Sequence, residues 1–183
     1  LGGITLLCRF DGQRVTMASQ MSEADETVSS LYSVKSEQAT MLSFDTYNYL
    51  VHYFGQPQGS MSDDPNGTLG GDYEFIISSA SAERIELKGK KYGNRIVMKA
   101  LTEDQTWKQY LTKIKKVEDD AFFYEYDLLM DGLYTGQMIR SNYTFIVTYY
   151  DEIGKVHQKT VPFMFTADGL RFHEPVTIDG QTM

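Results

Sequence analysis

Cysteine is almost absent from this chain, since Cys8 is the single cysteine among 183 residues. A disulfide within the chain is therefore excluded. Cys8 lies in a strand-like run, and no histidine or basic cluster stands beside it to favour a reactive thiolate. We interpret it as a buried structural thiol and not as a nucleophile.

Long hydrophobic runs are also missing. No stretch approaches the ~18 consecutive apolar residues that indicate a transmembrane helix. The chain carries no signal peptide either, and it enters a strand pattern directly after Leu1-Gly2-Gly3. We expect a fragment whose targeting segment lies upstream.

Positive charge is scarce relative to negative charge. Lysine and arginine total 17 and aspartate and glutamate total 25, so the formal net charge is −8. Nucleic acids and anionic membrane surfaces both require basic patches. The composition therefore argues against either as a partner, and it leaves a neutral ligand open.

Motifs that carry enzymatic or metal chemistry are absent from the sequence. It has no phosphate loop, no nucleophile elbow and no paired-cysteine motif. The histidines His52, His157 and His173 lack the spacing of metal ligands, and residues 63–67 resemble a calcium loop in composition only. We predict no cofactor, no metal site and no catalytic residue. A pair of hydrolytic carboxylates stays open, because its criterion is a distance of about 5–10 Å.

Aromatic residues and period-two alternation are what the chain has in abundance. It contains 13 tyrosines and 10 phenylalanines, and 42% of its residues are apolar, which is enough for a core. The alternation is strongest over residues 72–101 and predicts three consecutive strands with one buried face. The residues predicted on one face are Tyr73, Phe75, Ile77, Ile85, Leu87, Ile96 and Met98.

Strand patterns fill much of the remaining chain. Asp11-Gly12 predicts a tight hairpin turn, and Pro162 indicates an edge or a bulge in a late strand. The other predicted strands cover residues 3–10, 13–21, 31–35, 40–44, 122–130, 143–150, 155–165, 170–172 and 176–178.

Two segments have helical spacing instead. Residues 46–54 predict a short helix capped by Asp45, although a strand through the same residues is the rival interpretation. Residues 102–118 predict a longer amphipathic helix. In that helix Thr102 and Gln105 form a capping box, and three lysines near the end suit the helix dipole.

We predict a mainly β protein. Residues 1–101 form an antiparallel meander that curls into a barrel-like (lipocalin-like) or strongly curved sheet, with the short helix 46–54 and a long loop at 55–71. The helix at 102–118 follows. Residues 119–183 add C-terminal strands, which either continue the same domain or form a second small one.

A ligand site is expected first where the meander is interrupted, at the short helix and the long loop after it. The candidate ligand-facing aromatics are Tyr47, Tyr49 and Tyr53 in this region and Trp107 on the second helix. Packing in the core is the competing interpretation for each of them.

Several segments of the sequence resemble those of a known family. They are Met41-Leu42-Ser43-Phe44-Asp45-Thr46-Tyr47-Asn48, His52-Tyr53-Phe54, and residues 70–77, 87–91, 162–166 and 169–172. With these segments the chain resembles an uncharacterised family of Bacteroidetes envelope lipoproteins. The likeness runs over most of the chain, and the family offers no established activity or site residues to transfer.

The resemblance implies a location and partners. Such proteins lie in the cell envelope, at the outer membrane or cell surface, with a lipid anchor on an upstream cysteine. They tend to be encoded beside SusC/SusD-type outer-membrane uptake systems, some linked to haem acquisition. This chain lacks the signal and the anchoring cysteine, and Cys8 is not that anchor. The implied partners are a small molecule (glycan or haem) and outer-membrane transporter proteins.

Three functions follow as hypotheses. The leading one is a non-catalytic binding or accessory lipoprotein of a nutrient uptake system, which a concave pocket lined by aromatics would favour. The second is a structural scaffold that docks onto a transporter or other envelope protein, which a flat exposed apolar patch with no pocket would favour. The third is a hydrolase, which two convergent carboxylates, one with a raised pKa, would favour.

Overall fold

The structure is a computed structural model, and it describes residues 2–36, 38–57, 68–101, 105–121, 124–178 and 180–182. The fold is mainly β, as predicted, with antiparallel curled sheets and two short helices. The chain divides into two compact units. The first unit comprises residues 6–107, and the second comprises residues 1–5 together with 108–183.

The first unit is a seven-stranded antiparallel meander. Neighbours in the sheet are neighbours in sequence throughout. The strands are β1 (Leu6–Asp11), β2 (Arg14–Ser19), β3 (Val28–Ser36), β4 (Thr40–Phe44), β5 (Glu74–Ala80), β6 (Arg84–Gly89) and β7 (Arg95–Lys99). The first half of β3 pairs with β2 and its second half pairs with β4, and this stagger accompanies the curl of the sheet.

One face of this sheet forms the core of the first unit. Phe75 and Leu87 are almost fully buried, and Ile77, Ile85, Ile96 and Met98 pack against the core, so the predicted alternation is confirmed for these residues. The buried cluster consists of Val15, Met17, Leu42, Phe44, Leu50, Val51, Phe75 and Leu87. Cys8 packs against the same cluster, and burial raises the pKa of its thiol to about 12.

Two predicted details at the start of the chain are wrong. Because Asp11 pairs with Arg14, the turn between β1 and β2 consists of Gly12 and Gln13, with Gly12 in the left-handed region at φ +58°. Residues 3–5 do not belong to the first strand. They lie in the second unit, where the N–H of Gly3 donates to the carbonyl of Phe163 at 2.9 Å.

The short helix is confirmed in place but not in its bounds. Helix α1 spans Tyr49–His52 and continues as a 3₁₀ turn at Tyr53–Gly55, which excludes the strand interpretation. Its N-cap is Asn48 and not Asp45. Asp45 still belongs to the end of the sheet, since its N–H donates to the carbonyl of Leu31.

The long loop after α1 is described at its two ends, and residues 58–67 of the predicted 55–71 lie outside the described residues. The carbonyl of Phe54 accepts from the N–H groups of Leu69 and Gly71, at 3.1 and 2.9 Å. These two hydrogen bonds therefore join the end of the helical segment to residues 69–71, directly beside α1.

The second unit contains a five-stranded antiparallel sheet and a small hairpin. The strands are β8 (Glu125–Met130), β9 (Leu133–Ser141), β10 (Thr144–Tyr150), β11 (Val156–Thr166) and β12 (Gly169–Phe172), in the order β12-β11-β10-β9-β8, and the hairpin is β13 (Thr177–Ile178) with β14 (Gln181–Thr182). Strand β9 was not predicted. Its sequence puts Leu133 beside Tyr134 and includes Gly136, so a clean alternation is missing. Pro162 lies one residue beyond the last pair between β11 and β12, so it stands at a local edge as expected.

Helix α2 spans Trp107–Asp120, and Leu111 and Ile114 form its buried stripe. The predicted start at 102–103 is wrong, and the proposed cap Thr102 lies outside the described residues. The predicted lysine-rich last turn is also wrong. The helix runs on to Asp120, so its last turn is acidic, and an ion pair of 2.7 Å between Lys116 and Asp120 offsets part of that unfavourable charge.

Candidate functional site

An exposed group of aromatic rings surrounds helix α1. We call Tyr47, His52, Tyr53 and Tyr73 the aromatic surface. The side chain of Tyr47 is 60% exposed, that of Tyr73 45% and that of Tyr53 39%, although aromatic rings of this size are usually buried. The sheet core therefore leaves these rings available to another molecule.

The ring of His52 contacts two tyrosine rings, and only the pair with Tyr73 is stacked. The imidazole of His52 lies between two tyrosines, with centroid distances of 4.9 Å to Tyr73 and 5.5 Å to Tyr47. The planes of His52 and Tyr73 differ by only 16°, so these two rings are stacked face to face. The plane of Tyr47 is tilted by 43° to that of His52, so the group exposes ring edges and outer faces at more than one angle.

Asn48 fixes the helix that carries these rings. It is fully buried, and its side-chain oxygen accepts from the N–H of Leu50 at 3.1 Å. Its side-chain nitrogen donates to the hydroxyl of Ser30 at 3.2 Å. The Nδ1 atom of His52 lies 3.0 Å from the carbonyl oxygen of Asn48, which ties the central ring of the stack to the same anchor.

Buried residues on the other side of α1 complete that anchoring. Leu50 and Val51 are buried in the core of the first unit. Because α1 makes only one turn, a buried pair on one side leaves the flanking positions 47, 52 and 53 at the surface. The rings are thus presented by a short helix whose opposite side is fixed to the sheet.

Tyr73 is held in place by its neighbour Asp72. The buried carboxylate of Asp72 accepts from the backbone N–H groups of Lys91, Tyr92 and Asn94, at 2.7, 3.0 and 3.2 Å. It also accepts from the side-chain amide of Asn94 at 2.8 Å. Burial alone would raise the pKa of Asp72, but these hydrogen bonds outweigh burial and lower it. The β6–β7 turn is therefore joined to the residue that precedes Tyr73.

Two further contacts also join the β6–β7 turn to the segment before Tyr73. The amide of Asn94 donates to the carbonyl of Gly70 at 2.6 Å, and the hydroxyl groups of Thr68 and Tyr92 lie 2.9 Å apart. Gly89 has no space for a side chain, because an added Cβ would lie 1.9 Å from an oxygen of Asp72. The position of Tyr73 thus depends on residues about 20 positions later in the chain.

The four predicted site residues have separate positions. Tyr47 and Tyr53 lie on the aromatic surface. Tyr49 packs against the core, and its hydroxyl donates to Glu26 at 2.6 Å, a contact that raises the pKa of Tyr49. Trp107 begins α2, and the guanidinium of Arg9 lies 5.6 Å from its ring centroid.

Sequence reasoning missed two members of the aromatic surface. It placed Tyr73 on the inward face of a strand, but Tyr73 precedes β5 and points its ring to His52. It considered His52 only as a metal ligand. The helical spacing of residues 48 and 52 was the available signal, since it places His52 one turn after the true cap.

Other features of the described residues bear on the alternatives. An open depression of about 470 Å³ lies at the end of the β1–β2 hairpin, and its lining residues are Gly12, Gln13, Leu31, Tyr32, Ser33, Val34 and Asp45. Only one of these is aromatic, so the aromatic surface and the depression are distinct. No group of three metal-ligating side chains occurs among the residues that the structure describes.

The shifted carboxyl groups of the described chain all move in one direction. The pKa values of Asp45, Asp72, Glu86 and Asp151 are lowered. A general acid for hydrolysis needs the opposite, a raised pKa. Among the helices that the structure describes, none combines the length and the hydrophobicity that a membrane crossing needs.

Comparison with known proteins identifies a family. A family model described as a domain of unknown function (DUF4302) matches residues 1–183. The chain belongs to this family. No curated protein and no solved structure matches it. The expectation of an uncharacterised family is therefore confirmed over the whole DUF4302 chain, and the site must be interpreted from its own geometry.

Proposed function

We propose that this DUF4302 protein is a non-catalytic binding or accessory protein that holds a flat, ring-shaped ligand on its aromatic surface. The observation that carries the proposal is the exposure of Tyr47 and Tyr73 on either side of their contacts with His52. The exposed parts of these rings offer apolar contact area, and the tyrosine hydroxyls at their edges offer hydrogen bonds. A surface of this chemistry suits the apolar face of a sugar ring or the plane of a haem.

The preorganisation of the stack supports a binding role. Asn48 lies behind one part of the aromatic surface and Asp72 behind another, and each is a buried side chain that makes several hydrogen bonds. Rings that are fixed before binding lose little conformational freedom when a ligand arrives. Exposed apolar ring surface is unfavourable in water, and the fold gains no stability from that exposure.

The location and partners belong to the same proposal. The likeness to Bacteroidetes envelope lipoproteins supports a place in the cell envelope, with a lipid anchor upstream of this chain. It also supports work beside an outer-membrane transporter that imports glycan or haem. The hydrolase alternative has no supporting observation among the described residues, because none of the shifted carboxyl groups has a raised pKa.

A thermal-shift and calorimetric screen tests the ligand proposal. The purified protein is heated with glycans of defined composition and, separately, with haem. A ligand at about 100 times its dissociation constant adds roughly 2.7 kcal/mol to the free energy of unfolding, which raises the melting temperature by a few degrees. The class that produces the shift decides between sugar and haem.

Matched variants then locate the site. Replacing Tyr47 or Tyr73 by alanine should weaken binding of that ligand about 3–10-fold, since one stacked ring contributes on the order of 1 kcal/mol. Tyr124→Ala is the control, because Tyr124 is at least as exposed as either residue but lies in the second unit. Unchanged affinity in both Tyr47→Ala and Tyr73→Ala, or a screen without any shift, would overturn the proposal.

A further inference from the structure

A second surface, in the other unit, exposes apolar side chains at the tips of two hairpins. Tyr149 of β10 pairs with Gly136 of β9 and with His157 of β11. The β8–β9 turn and the β10–β11 turn therefore lie at the same end of the sheet, on neighbouring strands about 5 Å apart. Helix α2 meets the opposite end, where Glu118 accepts from the hydroxyl of Tyr143 at 2.8 Å.

We call the exposed apolar residues at these tips the apolar rim. They are Leu129, Leu133, Tyr134, Tyr150, Ile153 and Val156. All six are about half exposed or more, and the side chains of Ile153 and Leu133 are 87% and 73% exposed. Isolated apolar residues on a surface are ordinary, but six exposed ones at the same end of one sheet are a concentration of the kind that marks an interaction site.

Turn chemistry does not explain this rim. Gly132 and Gly154 take the positive φ values that the two turns need, at +80° and +78°. Asp131 also has a positive φ, at +50°, but Leu133 and Ile153 do not, and polar residues would serve at these two positions equally well. Leucine and isoleucine at these positions therefore contribute nothing to the turns themselves.

The tip that carries Ile153 is held in one conformation. The carboxylate of Asp151 accepts from the N–H of Ile153 at 3.1 Å and from the N–H of Lys155 at 2.8 Å. Its second oxygen lies 2.8 Å from the Nε2 atom of His157, whose ring stacks on Tyr149. A tip fixed in this way presents its apolar side chain without a large ordering cost on binding.

The charges beside the rim define the partner. Asp131, Asp151 and Glu152 lie in the two turns, and Lys155 is the one lysine or arginine in those turns. The whole chain is also acidic, at −8. Acidic side chains disfavour an anionic lipid surface and a second copy of the same rim. They favour a protein surface with basic residues around an apolar centre.

We propose that the apolar rim docks onto a partner protein whose contact surface is apolar in the centre and basic at its edge. The rim lies in the second unit and uses none of the rings of the aromatic surface. The docking role therefore stands or falls independently of the ligand proposal.

Two synthetic amphipathic helical peptides serve as probes of the partner chemistry. Both carry the same leucine face, and one has lysines and the other glutamates on its polar face. The protein should bind the leucine–lysine peptide, more weakly at high salt, and should not bind the leucine–glutamate peptide. In the double variant Leu133→Ser/Ile153→Ser, which keeps the net charge, the leucine–lysine peptide should bind at least tenfold more weakly.

Val34→Ser is the matched control, because Val34 is more than half exposed but lies in the first unit. Circular dichroism and the melting temperature verify that every variant folds. Equal weakening in Val34→Ser, or no weakening in the double variant, would overturn the proposal. So would equal binding of both peptides.

Two further measurements test the other occupants. Co-sedimentation with neutral phosphatidylcholine vesicles that the double variant abolishes would replace the partner protein by a lipid surface. Sedimentation equilibrium that shows a dimer in the wild type and a monomer in the double variant would replace it by a second copy of this chain. The proposal expects neither.

Discussion

Each unit contains an aspartate that organises a hairpin turn, and the two differ in how far they reach. Asp72 is buried and accepts four hydrogen bonds from the β6–β7 turn, about 20 residues later in the chain. Asp151 is more exposed and accepts from Ile153 and Lys155 of its own turn and from His157. The same side chain therefore stabilises tertiary structure in the first unit and local structure in the second.

The pKa is lowered at both aspartates, although the causes differ. At Asp72 the hydrogen bonds must overcome burial before the pKa falls. At Asp151 the contact with His157 is the largest cause of the lowered pKa, followed by the backbone hydrogen bond from Lys155. A lowered pKa alone thus does not distinguish a tertiary anchor from a local turn. The difference must show in stability.

Gly89→Ala should produce the largest effect. The added Cβ would lie 1.9 Å from one oxygen of Asp72 and 2.8 Å from its Cβ, and moving the aspartate away would break its hydrogen bonds to the β6–β7 turn. We expect a loss of roughly 3–5 kcal/mol in the free energy of unfolding, in the range of severe packing and network defects. Urea denaturation measures it. A loss under about 1 kcal/mol would contradict the conclusion that the Asp72 side chain leaves no space for a side chain at position 89.

Asp72→Ala comes next. It leaves the part-buried N–H donors of Lys91, Tyr92 and Asn94 without their acceptor, which we expect to cost roughly 2–3 kcal/mol. Because Tyr73 is the adjacent residue, its ring should also lose its fixed position against His52. Urea denaturation measures the first effect, and nuclear magnetic resonance of the His52 ring protons measures the second. An unchanged His52 spectrum would separate Asp72 from the aromatic surface.

The pH dependence distinguishes the charged form of Asp72 from its shape. The pKa of Asp72 is lowered from 3.8, so its stabilising contribution is complete above that value and is lost as the pH falls through the lower folded-state pKa. The stability difference between the wild type and Asp72→Asn should therefore be largest near neutral pH and shrink below about 3.8. A difference that stays constant down to the acid limit would contradict it.

Asp151→Ala should have the smallest effect on stability, because its carboxylate serves a turn that is open to solvent. We expect a smaller drop in melting temperature than for Asp72→Ala. Amide exchange should accelerate at Ile153 and Lys155 and stay unchanged in the β6–β7 turn. A melting temperature as low as that of Asp72→Ala would show that the two aspartates are equivalent after all.

The sequence was sufficient for the parts of the fold that local patterns encode. Alternation over residues 72–101 identified three strands and most of their inward residues, since a half-buried sheet requires that period. It failed at β9, where Gly136 and adjacent apolar residues hide the period. The cap of α1 was misplaced because Asp45 and Asn48 are both good caps, and only the buried partner Ser30 decides between them.

The candidate site was less predictable than the fold. Tyr47 and Tyr53 were found because they stand beside an interruption of the meander. Tyr73 and His52 were not grouped with them, since their stacking joins residues 21 positions apart and depends on the contacts of Asp72. Contacts of this range leave no periodic trace in a sequence. The apolar rim was missed for a related reason, because it needs the register of two hairpins.

The hydrogen bond between Gly3 and Phe163 has a consequence for the order of events during synthesis. Its two residues stand 160 positions apart, and Gly2 and Gly3 have no space for a side chain against Tyr143 and His173. At 5–20 residues per second, a ribosome needs roughly 10–30 s to reach Phe163 after Gly3. The meander of residues 6–107 is complete well before that. The hydrogen bond of Gly3 to Phe163 can therefore form only after every residue of the first unit has been synthesised.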